Sequence, residues 1–159
     1  MARIIHFDTK FRDSWLVKDF NKIISKYAKE NDSILFMCAD KFRYRSLLSV
    51  DCYYLDIEPK VISDVDKSHK YFYDATDPQL TNKINRKFDI VVLDPPYYIP
   101  YHKRIRTLKN AAALANRVVI IKWNFIPRLG ENWELKDLYI YESKRWWTYA
   151  SIITVFTRK

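Results

Sequence analysis

The chain has 159 residues, one domain's worth, and its 48% hydrophobic and 16% aromatic content is enough to bury a core. No window approaches the ~20 apolar residues of a membrane span, and the N-terminal MARIIHFDTKF lacks the apolar core of a signal peptide. A net charge of +9 points to an anionic partner, nucleic acid first, with general solubility as the plainer alternative.

Cys38 and Cys52 fit no metal spacing, and His6, His69 and His102 are scattered, so no metal site is expected. Both cysteines read as buried thiols in a reducing cytoplasm. One glutamine among many Lys, Ile and Tyr suits a hot-living source or an A/T-rich genome, and the expected setting is the cytoplasm of a thermophilic or virus-infected host cell.

In chain order, residues 3–7 suit a short edge strand. Asp13 or Ser14 can cap a helix over 15–30. Its apolar stripe is Trp15, Leu16, Phe20, Ile23, Ile24 and Tyr27, and Lys18, Lys22, Lys26 and Lys29 form a solvated face mostly opposite. Residues 31–33 turn. Residues 34–38 make a buried strand that ends at Ala39-Asp40, and 41–48 suit one or two helical turns. A second strand at 52–57 precedes Glu58-Pro59. Residues 60–70 form a short helix or loop. A third strand, 71–73, ends at Asp74-Ala75, and 78–86 form a weak helix.

The stretch FDIVVLDPPYY, residues 88–98, follows. Ile90 to Leu93 is an unbroken apolar run, as in a strand buried on both faces of a parallel sheet. Asp94 ends it, and Pro95 and Pro96 stop the strand because neither can donate a ladder hydrogen bond. Ligands of open α/β sheets bind at the C-terminal ends of strands. A carboxylate, carbonyls held by rigid prolines and the ring of Tyr97 therefore reach that edge together. The grouping suits methyl transfer to an exocyclic amine, whose lone pair is delocalised into its ring. Asp94 and the Pro95 carbonyl can accept from the NH2 group and draw the nitrogen toward tetrahedral geometry. Tyr97 can stack on the base, a contact worth roughly 1–3 kcal/mol. The plain alternative is a strand followed by a proline turn.

Beyond it, Tyr98, Tyr101, Lys103 and Arg104 form a basic, aromatic segment that can meet phosphate and base. Residues 107–115 read as helix and 118–121 as a fifth buried strand, closed by Lys122-Trp123-Asn124-Phe125. Two last strands, 133–142 and 151–157, are linked by SKRWWTY. There Arg145 and Trp146 suit single-strand or flipped-base binding, or equally a packed hairpin end.

DPPY, with the succession SILFMCADKF, YYLDIEP, KYFYDATDP and FDIVVLDPPYY, resembles the N6-adenine-methyltransferase-like family over about residues 13–98. The resemblance implies a Rossmann-like, three-layer class I methyltransferase fold. Its sheet would be mostly parallel, with a C-terminal antiparallel hairpin. It implies S-adenosylmethionine (SAM) as cofactor, held by Cys38, Ala39 and Asp40 on the first loop, by Asp56 at the ribose (Glu58 in reserve), by Asp74 and Ala75 at the adenine, and by Asp94. Asp94, Pro95, Pro96 and Tyr97 would be catalytic. The usual glycine-rich first loop is absent: MCADKF stands in its place, so close backbone approach to SAM is less free.

The expectation is one catalytic domain over 1–159 without a separate target-recognition domain, since only ~60 residues follow Tyr98. Specificity would then be low or supplied by a protein partner. Adenine-N6 methylation of nucleic acid, DNA ahead of RNA, leads. Protein lysine methylation and a non-catalytic nucleic-acid-binding role stay open beside it.

Overall fold

The computed structural model describes residues 2–7, 12–143 and 150–159. In chain order its strands are β1 (Ala2–Phe7), β2 (Ser33–Met37), β3 (Asp51–Leu55), β4 (Lys70–Tyr71), β5 (Phe88–Leu93), β6 (Ala115–Trp123), β7 (Trp133–Ser143) and β8 (Ala150–Arg158). The helices are α1 (Arg12–Tyr27), α2 (Leu80–Ile84) and α3 (Tyr101–Leu114). All eight strands join one sheet in the order β1-β7-β8-β6-β5-β2-β3-β4.

β2 to β6 pair in parallel, whereas β8 runs antiparallel to both β6 and β7. β1 returns to the far edge, parallel to β7. The chain steps outward from β2 to β3 and β4, then crosses back to β5. The crevice at that reversal is where an open α/β sheet takes a ligand.

The central strands are apolar throughout because both faces are covered. Leu35, Val91, Leu93, Val119 and Ile121 point to a cluster that includes Leu80, Ile84, Leu108 and Ala111 of α2 and α3. Their neighbours Ile34, Phe36, Ile90, Val92, Val118 and Ile120 point the other way, to Phe20, Ile23 and Ile24 of α1. This is the period-two alternation of a strand, with neither face left polar. The result is the expected Rossmann-like three-layer sandwich.

Several boundaries differ from expectation. α1 begins at Arg12, so Asp13 and Ser14 lie within its first turn rather than ahead of it. It stops at Tyr27, where Asp32 accepts from Lys29 N at 2.7 Å and Asn31 takes φ 65°. Residues 41–48 are not helical: Asn21 exchanges hydrogen bonds with both backbone groups of Arg45, and the segment runs as irregular loop. α3 starts at Tyr101, six residues early, because Pro100 is its N-cap and its carbonyl accepts from Lys103 N and Arg104 N. The basic segment 101–106 is therefore helix, not loop. The link 144–149, with Arg145 and Trp146, lies outside the described residues.

Candidate active site

The C-terminal ends of β2, β3, β5 and β6 and the loop after β4 converge on two adjoining cavities. The first, of about 420 Å³, is lined by Cys38, Asp40, Asp56, Val61, Asp94, Pro95, Pro96, Tyr97 and Lys122. The second, of about 250 Å³, shares Cys38, Asp56, Pro95 and Pro96 and adds Leu55, Ile57, Tyr73, Asp74, Ala75, Thr76, Ile99, Lys103 and Thr107. The residues expected at the cofactor and catalytic positions thus meet in one place, apart from Ala39, which is buried beneath the first loop.

Asp94 continues the β5 ladder, its N–H donating to Met37 O at 3.2 Å. Its side chain keeps 29% of its surface accessible on the cavity floor, and its Oδ2 accepts from Lys122 Nζ at 2.9 Å. Burial raises the Asp94 pKa and the Lys122 charge pulls it back, with the net shift upward. Pro95 is buried and Pro96 exposed. Tyr97 is half-buried, its ring packed on the core edge and its hydroxyl 3.3 Å from Ser151 Oγ.

Asp94 was legible in the sequence, but Lys122 was not singled out. The signal for it was the same: a charged residue closing the buried run VVII at the ligand edge, on the neighbouring strand.

The first loop keeps a glycine-like backbone without glycine. Cys38 has φ 56° and Asp40 φ 44°, left-handed values that an L side chain adopts at a cost. Partners hold the turn. Ala39 N donates to Leu55 O at 3.2 Å, and Asp56 Oδ2 accepts from Asp40 N at 3.1 Å. Arg43 donates to the carbonyls of Asp40, Phe42 and Val61 and pairs with Asp64 at 2.7 Å. Burial, with the charges of Asp56, Asp94 and Asp74, pushes the Cys38 thiol far up.

Asp56 lines both cavities. Its Oδ1 also accepts from Glu58 N at 2.9 Å, while Glu58 itself lines neither. Asp74 is turn former and cavity wall at once, accepting from Thr76 N at 2.8 Å. Buried Asn110 of α3 donates to Ala75 O at 2.8 Å and Asp77 O at 2.9 Å, which fixes the loop that carries Asp74 and Ala75. A polar residue on an apolar helix face was the sequence's signal for it.

The expected substrate residues separate. Tyr98 and Tyr101 are 87% and 76% exposed beside the cavities, and Lys103 lines the second. Arg104 turns inward: Nε donates to Ile99 O at 2.8 Å, Nη2 to Tyr97 O at 3.4 Å, and the guanidinium lies 5.4 Å from the Phe125 ring centre. It braces the exit loop from behind, with Nε and Nη2 on backbone carbonyls. Among the described residues, no group of three or more His, Cys, Asp or Glu is placed to hold a metal ion, and no helix is long and apolar enough to cross a membrane.

A family model described as probable N6-adenine methyltransferase matches residues 7–137. The chain belongs to that family. The description of that family is a methyltransferase's. No curated protein matches it. Solved structures share the fold at low identity. TrmN from Thermus thermophilus superposes with a TM-score of 0.63 at 14% identity, over 91% of this chain and 48% of that one, so this chain spans about half its length. Magnesium protoporphyrin IX methyltransferase from Synechocystis PCC 6803, with bound SAM, gives 0.68 at 12% over 96% and 87%. A TehB-like SAM-dependent methyltransferase from Corynebacterium glutamicum gives 0.63 at 16% over 87% and 86%.

This N6-adenine methyltransferase relative fits a nucleoside sulfonium cofactor by its donor set. Asp56 and Asp74 supply acceptors at two strand ends, Ala75 leaves room between them, and Ile57 and Tyr73 give the second cavity an apolar wall. The left-handed backbone at Cys38 and Asp40 opens the first loop toward the same trough.

Proposed function

We propose that this methyltransferase acts on the N6 amine of adenine in nucleic acid. The observation that carries the proposal is Asp94, an acceptor on the floor of an open cavity, followed directly by the proline carbonyls and overlooked by exposed tyrosines. SAM supplies a methyl group already activated as a sulfonium, so the chain's task is positioning. Asp56 would accept from the ribose hydroxyls and Asp74 from the cofactor's adenine amine, with Cys38 and Asp40 passing beside the amino-acid end.

Asp94 Oδ1 and the Pro95 carbonyl would accept the two protons of the target amine. That draws the nitrogen lone pair out of the ring and toward the methyl. As the new N–C bond forms and the S–C bond breaks, the amine becomes acidic, and Asp94 can take its proton. Tyr97 forms a wall of the cavity, Tyr98 and Tyr101 offer ring faces to bases, and Lys103 a cation to phosphate.

The surplus of 28 Lys and Arg over 19 Asp and Glu supports a polyanionic substrate. The sequence reading puts DNA ahead of RNA; the cavity's chemistry suits adenine in either polymer. Incubation with methyl-labelled SAM and, in parallel, DNA, RNA and cell protein tests the proposal. Label in N6-methyladenine supports it, and label only in protein lysine overturns it.

A further inference from the structure

Asp94 faces one cation and several acids. Lys122 Nζ from β6 sits on Oδ2 at 2.9 Å. From the loop after β2, Asp40 and the Cys38 thiol line the same cavity and interact with it electrostatically. Asp56 from the end of β3 and Tyr97 from its own loop complete the cavity. Among the described residues lining this cavity Lys122 is the one Lys or Arg, and its side chain is only 17% exposed. A lysine stem buried to that degree, aimed at one oxygen of one carboxylate, has little freedom to serve as a general surface charge.

We infer that Lys122 is a positioning residue for methyl transfer: its ammonium fixes Asp94 through Oδ2 and leaves Oδ1 to accept from a neutral amine. The inference rests on the adenine reading and deepens it by naming what the site asks of its target. Asp94 must be ionised to accept on both oxygens. Burial and the nearby Asp40 charge both oppose that, and Lys122 is the group that offsets them. The pair is also close to neutral as a unit. An aromatic amine needs an acceptor and no counter-charge, so it suits the remaining oxygen. A lysine target would arrive as an ammonium and compete with Lys122 for a carboxylate already paired.

The test is the pH profile of kcat/KM for methyl transfer in wild type, Lys122→Met, Lys122→Gln and Lys122→Arg. It is run beside an NMR titration of the Asp94 carboxyl carbon, assigned with Asp94→Asn. Removing the cation should move the acid limb, and the Asp94 titration with it, upward by about 1 pH unit or more, so that raising the pH restores much of the lost rate. Lys122→Arg should keep the wild-type limb. Thermal melts identify a variant that has not folded, and the remaining variants then decide.

An unmoved limb, or a loss that is equal at every pH, overturns the inference. So does a wild-type Asp94 carbon that titrates unchanged when Lys122 is replaced. Should wild type methylate no nucleic acid, the adenine reading fails by itself, and the carbon titration still decides whether Lys122 sets the state of Asp94.

Discussion

Asn110→Leu should weaken both the fold and the cofactor site. Asn110 is 6% exposed on α3, and its amide donates to Ala75 O and Asp77 O. Leucine keeps the branched shape, is somewhat larger, and donates nothing. Asp77 O keeps its bond from Leu80 N at 3.2 Å, whereas Ala75 O loses this partner. A buried carbonyl left unpaired costs about 1–3 kcal/mol, and the second, shared bond about 1 more. We expect a loss of roughly 2–4 kcal/mol, or about 4–16 °C in melting temperature for a chain of this size. Asp74 and Ala75 ride on the freed loop, so SAM affinity should fall by about 1 kcal/mol, near 5-fold. Denaturant titration and calorimetry with SAM read the two effects. A variant that melts as wild type does and binds SAM equally would refute the argument that Asn110 holds this wall of the site.

Three other outcomes follow from the same geometry. Asp56→Ala should weaken SAM binding by about 1–3 kcal/mol in calorimetry, since the carboxylate both lines the trough and anchors Asp40 N. Tyr97→Phe should keep most activity because it loses only the 3.3 Å contact to Ser151, whereas Tyr97→Ala should lose much of it; equal failure in a turnover assay would assign the role to the hydroxyl. Asp137 accepts from Lys26, Tyr27 and Tyr139; burial alone would raise its pKa, but these partners outweigh it and the net shift is downward. A lowered carboxylate contributes stability that is present above the unfolded value of 3.8 and lost as the pH falls through the folded one. The stability gap between wild type and Asp137→Asn in urea should therefore be full near pH 6 and shrink below about pH 4.

What the sequence disclosed depended on how local the cause was. β5 and β6 were legible because burial on both faces forces unbroken apolar runs, and Asp94 because a charge that ends such a run falls on the ligand edge. Asp56 and Asp74 followed from the order of strands. The first loop was not legible in this way. Its left-handed turn at Cys38 and Asp40 is held by Leu55 and Asp56, tertiary partners that no residue propensity reports, and braced by Arg43 of the same loop. The start of α3 was missed because 101–106 carries too few apolar residues to show a stripe, while Pro100 sets the cap by geometry. Arg104 read as a free cation, and only the folded loop shows the carbonyls it serves. Lys122 lies 28 residues from its partner, so strand adjacency alone brings them together.

The most direct test of the central claim is Asp94→Ala, with methyl transfer to nucleic acid and SAM binding measured on the same preparation. The hydrogen bond to the target amine is made chiefly as the nitrogen pyramidalises, so its loss should fall on turnover rather than on cofactor affinity. The account predicts no detectable N6-methyladenine and SAM binding close to wild type. An Asp94→Ala enzyme that still methylates adenine would contradict it.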